Sequence, residues 1–218
     1  MLRYFPDARG SGHAAHEVRR CAAAVADAHG RHLGFAALTT LADMEPVGQE
    51  FVFDRVVESG APLAVWRRQP TTVSRELKAM VRIFDVPLKD WPSAAELEQQ
   101  YRTHPDRNLA ERLRRKLRIR EAIGDGATFP LEIYAWRIGD AVLAGALVEA
   151  YSQQQRQLRA LFPERAVIWM NLINGSLGYM PPAALYDEDL YQVWQTPFER
   201  GCAERLVTET EQAVRSLI

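Results

Sequence analysis

Three side chains in the last third of the chain have the types to do chemistry together: Glu149, Tyr179 and Tyr191. Glu149 follows the apolar run Ala141-Val142-Leu143-Ala144-Gly145-Ala146-Leu147-Val148, which reads as a strand apolar on both sides. A carboxylate there is costly unless it is paired or bound to a cation, or unless it faces the dipole of a following helix. Tyr179, Tyr186 and Tyr191 lie in the stretch 167–198, which opens as a buried strand and breaks at Asn174-Gly175. Loops that leave the end of a buried strand are where sites usually sit. Tyrosines in such a loop act either as packing anchors with a bonded hydroxyl or as reactive groups, and their spacing leaves both readings open.

Other clusters are weaker. His13/His16 and His29/His32 are each one helical turn apart, which could place two imidazoles on one metal. No Cys, Asp or Glu completes a ligand pattern around either pair, so surface or packed histidine is the plainer reading. His104 stands alone. Arg112, Arg114, Arg115, Lys116, Arg118 and Arg120 make a basic helix that would suit phosphate or an anionic lipid surface. Interspersed Asp106, Glu111 and Glu121 favour a solvated face, with Leu113, Leu117 and Ile123 turned inward.

Elements must position these groups. The segment 1–12 mixes breakers and polar residues and is expected to be disordered. Residues 13–41 are alanine-rich, with an apolar stripe at three-to-four spacing, and predict a helix that Gly30 and Gly34 could divide. Residues 50–58 and 61–67 read as strands joined at Ser59-Gly60, whereas 70–91 is less regular. Ser93 with Glu96 makes a capping box, and a charged helix over 106–123 stops at Gly124. Residues 129–138 alternate, with Leu131, Ile133, Ala135 and Ile138 assigned to one face. Gly139-Asp140 then signals a hairpin into 141–147. A helix over 151–162, a strand over 167–172 and a helix over 197–218 complete the chain. The order predicts an α+β or α/β fold, a mixed β-sheet layered with helices. One domain over 13–218 is expected.

At 218 residues, a net charge of -1 argues against a general nucleic-acid partner, which would need a basic excess. No apolar run approaches the roughly 20 residues of a transmembrane segment, and Met1 is not followed by a signal-peptide pattern. Cys21 and Cys202 suggest free, buried thiols and no disulfide framework.

Glu149 at a strand end, then a helix, then a strand running into Asn174-Gly175-Ser176-Leu177-Gly178-Tyr179, then Tyr191, resembles the neutral/alkaline ceramidase family. The similarity runs from about Asp27 to the C-terminus. The Ile133 to Asp140 hairpin and the Asn174 to Tyr179 turn match best. Those enzymes are zinc amidohydrolases of N-acyl sphingoid lipids, and they are often secreted or surface-associated. The resemblance implies that Glu149 and Tyr179 are zinc ligands and that Tyr191 lines the reacting carbonyl. It implies a lipid-amide substrate, without specifying which one.

This sequence also departs from the family pattern. Leu147-Val148 replace a Pro-Gly, Ser176 replaces the first tyrosine of the turn, and Gln192 stands where a glutamate usually follows. The family's two zinc-binding histidines lie upstream of everything present, and His29 and His32 do not occupy their positions. The chain thus looks like an incomplete half of a larger catalytic domain, expected to be inactive alone. Its missing partner would be an upstream half-domain, and a bare apolar face would favour a homo-oligomer. The alternative is a non-catalytic ceramidase-like domain acting as a binding or partner module. A third reading uses the basic helix on anionic surfaces.

Overall fold

The computed structural model describes residues 12–218, with side chains from residue 23 onward. The disorder expected over 1–12 therefore lies outside the described residues, except for Gly12, and so do the side chains of His13, His16 and Cys21. The chain divides into two compact units, one ending at Thr72 and one spanning Val73–Ile218. The sequence had suggested no boundary there.

The first unit opens with α1, Gly12–Asp43, a single helix of 32 residues. Gly30 and Gly34 do not divide it. Each costs about 1 kcal/mol relative to alanine, which is small against a helix of this length. Its apolar side chains Leu33, Phe35, Leu38 and Leu41 remain 62–74% exposed. Strands β1 (Gln49–Glu58) and β2 (Pro62–Pro70) then pair antiparallel, with a register shift between Phe53 and Arg55. Phe53 and Trp66 meet edge to face across this ribbon, with ring centroids 5.8 Å apart.

The second unit begins with β3, Leu77–Pro87, in the stretch that looked irregular from sequence. It pairs antiparallel with β4, Thr128–Ile138, along its whole length. Phe84 and Val86 point into the core while Val81 and Ile83 stay exposed on the other face. Apolar residues on both faces hide the two-residue period that marks a half-buried strand. Between these strands lie α2, Ala94–Thr103, and α3, Arg107–Ile123, packed on each other. The Ser93/Glu96 capping box forms as expected, and Gly124 ends α3 at φ 75°.

Next come β5 (Ala141–Gly145), β6 (Glu149–Ala150), α4 (Ser152–Leu161), β7 (Ala166–Met170) and β8 (Tyr179–Met180), followed by α5 (Tyr191–Gln195) and α6 (Cys202–Leu217). One sheet has the order β3-β4-β5-β7. Its first three strands are antiparallel neighbours, and β5 and β7 run parallel. Parallel neighbours need a crossover, and α4 lies within the connection that provides it. A mixed sheet with helices is the α+β architecture anticipated. Helix α6 packs against β3, β4 and β5, with Leu206, Ala213 and Val214 fully buried. A fully buried Leu or Val contributes roughly 1.5–3 kcal/mol, so this helix closes the core.

Residue parity corrects one assignment. Leu131, Ile133 and Ala135 are buried as expected, but the next inward position is Arg137, and Ile138 faces outward at 55% exposure. The guanidinium of Arg137 is held by the Gly139 carbonyl at 2.9 Å, the Leu217 carbonyl at 3.3 Å and the Glu76 carboxylate. A buried charge is tolerated only with such partners.

Candidate functional site

Strand β5 ends at Gly145, where there is no room for a side chain. A Cβ there would lie 2.3 Å from the Met170 carbonyl oxygen and 2.4 Å from Ile173 Cδ1. Beyond this crossing the chain leaves the sheet, and the segments after β5 and β7 bond to each other. The Ile173 amide donates to Ala146 O at 3.0 Å, Leu177 to Leu147 O at 2.8 Å and Glu149 to Gly178 O at 2.9 Å. The Asn171 side chain clamps Ala150 from both sides, accepting from its amide and donating to its carbonyl, each at 3.0 Å. The turn between them uses left-handed backbone at Leu172 and Asn174, both φ 60°. Asn tolerates this conformation well and Leu poorly.

The outcome is the parallel pair β6–β8, in which Glu149 is registered directly against Tyr179. Registered residues on neighbouring strands, about 4.8 Å apart, project to the same face. The carboxylate and the phenol are thus brought to one side at the carboxyl ends of the parallel strands β5 and β7, where open α/β sheets commonly bind ligands. Glu149 is not part of helix α4, whose N-cap is Tyr151.

Tyr191, the first residue of α5, completes the group. Its ring meets that of Tyr179 edge to face, with centroids 5.8 Å apart. It also meets the Trp194 ring edge to face, with centroids 4.7 Å apart. The Tyr191 hydroxyl accepts a hydrogen bond from Arg115 Nη1 at 2.9 Å. A phenol oxygen that accepts from a guanidinium keeps its own proton free to donate, and polarisation along the chain strengthens that donation.

Burial and the neighbouring Glu149 carboxylate push the Tyr179 phenol above its ordinary value, with a smaller effect from Tyr191 and an opposing one from Arg115. Tyr151 is raised in turn by burial and by Tyr179. Glu149, Tyr151, Tyr179, Tyr191 and Arg115 therefore form one electrostatic neighbourhood. Sequence reasoning missed Arg115 and Tyr151. Arg115 sat within a helix read as solvated, and its i,i+4 carboxylate Glu111, at 3.2 Å, strengthened that reading.

Tyr186 belongs elsewhere. Its hydroxyl is shared between Phe198 O at 3.0 Å and Glu199 O at 3.1 Å, and burial holds it far above the usual phenol range. It is a packing anchor. His29 and His32 are exposed on α1. Among the described residues no three His, Cys, Asp or Glu side chains gather around a common point. Cys202 is a free, buried thiol. No described helix is long and apolar enough to cross a membrane.

Among solved structures, one described as a ceramidase complexed with C2 matches at 20% identity with a TM-score of 0.34, over 41% of this chain. The match spans 15% of that protein. No family model and no curated protein matches the chain.

Proposed function

We propose that this chain is the C-terminal portion of a zinc-dependent amidohydrolase acting on N-acyl lipids, as its resemblance to neutral/alkaline ceramidases implies. The observation that carries the proposal is the β6–β8 register, which sets Glu149 beside Tyr179, with Tyr191 against the same tyrosine. Glu149 and Tyr179 offer a carboxylate and a phenol oxygen on a shared face, a donor set that fits two positions of a zinc site. Zinc takes three or four protein ligands, and in this reading the remaining donors would come from a histidine-bearing upstream half-domain. Without that half the chain is expected to be inactive. When bound, zinc would act as a Lewis acid on an amide carbonyl and favour the phenolate of Tyr179.

The chain's own residues do the rest. Tyr191 donates its hydroxyl proton to the oxygen that gains negative charge as the amide is attacked, an oxyanion-type contact. Arg115 is a positioning residue: it fixes the Tyr191 hydroxyl at 2.9 Å and sharpens its donation. Trp194 packs edge to face on Tyr191, with ring centroids 4.7 Å apart, and helps to hold that ring in place.

The test is to combine the chain with a histidine-bearing upstream half and assay a panel of N-acyl amides with zinc. Hydrolysis should appear only in the combination and should fall at least about a hundredfold in Tyr191→Phe, the usual effect of losing one oxyanion donor. No hydrolysis and no stoichiometric zinc would end the proposal. The departures at Leu147-Val148, Ser176 and Gln192 favour a second reading, a non-catalytic binding module. In that case Glu149→Ala and Tyr179→Phe would leave partner binding intact and there would be no activity to lose.

A further inference from the structure

The basic helix α3 does not behave as a single solvated face. Arg114 and Arg115 share the Glu111 carboxylate at 2.8 and 3.2 Å, and Arg120 pairs with Asp125 at 2.9 Å while donating to the Trp91 carbonyl at 3.1 Å. Arg112 and Lys116 differ. Among the described residues neither has a hydrogen-bond or ion-pair partner. Each lies instead over an aromatic ring, Arg112 at 4.2 Å from the centre of Trp194 and Lys116 at 4.6 Å from the centre of Trp91. Both line a cleft of about 590 Å³ between α2 and α3, whose apolar floor includes Pro105, Leu109, Leu113 and Trp194. No carboxylate lines it.

We infer that this cleft binds an amphipathic organic carboxylate, with its apolar body on Leu109, Leu113 and Trp194 and its carboxylate between Arg112 and Lys116. A cleft of this size, mostly apolar with a few convergent charges, is the usual form of a small-molecule site. A guanidinium stacked on an indole uses its face and leaves its in-plane N–H groups free, and that fork matches a carboxylate in two-point fashion. Two half-buried cations with no hydrogen-bonded or ion-paired partner among the described residues are costly, and an incoming anion relieves the cost. Burial depresses Lys116, and Lys89 is depressed by its own burial and by the charge of Lys116, so the Lys116 ammonium gains from a neighbouring anion. The Asp106 carboxylate acts on Arg112 without forming an ion pair with it, and its Oδ1 accepts from the Asn108 and Leu109 amides at the N-terminus of α3 at 2.8 and 2.9 Å. The inference rests on no metal and does not depend on the reading of Glu149 and Tyr179.

Titration calorimetry on the full chain tests it, with 4-phenylbutyrate as the probe and 4-phenylbutanol as its uncharged match. Saturable one-site binding of the acid is expected, with the alcohol at least tenfold weaker. Arg112→Gln and Lys116→Gln should each weaken the acid at least fivefold, whereas Arg118→Gln, an exposed cation on the same helix, should leave it unchanged. If the alcohol binds as tightly as the acid, or the acid does not bind, the inference is overturned, and this comparison needs no variant. An equal loss in Arg118→Gln would also overturn it, since general attraction to the helix would then suffice.

Discussion

Replacing Gly145 with alanine probes the crossing from which the candidate site hangs. The added Cβ would sit 2.3 Å from the Met170 carbonyl oxygen, a backbone atom of β7, and 2.4 Å from Ile173 Cδ1. The isoleucine can turn away, but the carbonyl cannot. Restoring an ordinary contact of 3.4 Å requires β7 to retreat by 3.4 − 2.3, or about 1.1 Å. A hydrogen bond stretched that far is lost, so the Gly145↔Met170 end of the β5–β7 ladder should open. Overpacking costs about 1–3 kcal/mol, and each broken bond adds about 1 kcal/mol, so a total loss of about 2–4 kcal/mol is expected. In a protein of this size that is a fall of roughly 4–16 °C in melting temperature. Urea and thermal unfolding followed by circular dichroism would measure it. Gly30→Ala is the matched control. Beyond its chain neighbours and its own helix backbone no atom lies within 4 Å of the added carbon, and removing glycine from a helix interior should stabilise by roughly 0.5–1 kcal/mol. If Gly145→Ala changes stability by less than about 0.5 kcal/mol, the typical effect of a neutral surface change, the packing argument for this crossing is wrong.

Three further outcomes are expected. Because the Glu149 charge holds the Tyr179 phenol up, Glu149→Gln should lower the Tyr179 pKa, and Arg115→Gln should raise it. Carbon-13 tyrosine NMR over an alkaline pH series reads both, and a shift of the wrong sign in either variant refutes the shared neighbourhood. Burial pushes the Cys202 thiol up to about 11, so alkylation mapped by mass spectrometry should spare it at neutral pH until the protein unfolds. Because its folded pKa is raised, the stability it contributes is intact below about pH 9 and is lost as pH rises through about 11. Rapid native labelling of Cys202, or an alkaline unfolding curve identical in Cys202→Ala, would contradict this. The exposed Leu33, Phe35, Leu38 and Leu41 of α1 should drive self-association. Light scattering should show species larger than a monomer, reduced in Leu38→Lys/Leu41→Lys; a monodisperse wild-type monomer would refute it.

Much of this architecture was legible because local signals agreed with the global fold. The Ser93/Glu96 box, the Gly124 stop, the Gly139-Asp140 hairpin and the Asn174-Gly175 break each formed where side-chain chemistry required. Strand β3 was obscured because apolar residues occupy both of its faces. Ile138 was assigned to the wrong face because a buried arginine, Arg137, took the inward position that a hydrophobic pattern would award to an apolar residue. At the site, Glu149, Tyr179 and Tyr191 could be proposed from residue type and resemblance. Arg115 could not, since its bond to Tyr191 joins residues 76 apart in the chain. The Gly145 approach was equally hidden, because a glycine inside an apolar run does not reveal which backbone will pass over it.

The central claim is that Glu149 and Tyr179 face one cation. Ultraviolet difference spectroscopy, with zinc titrated into the chain combined with its histidine-bearing half, tests this most directly. A tyrosinate signal at neutral pH should saturate at one equivalent of zinc, vanish in Tyr179→Phe, and require far more zinc in Glu149→Gln. Zinc binding that proceeds without a tyrosinate signal, and is indifferent to both substitutions, would contradict it.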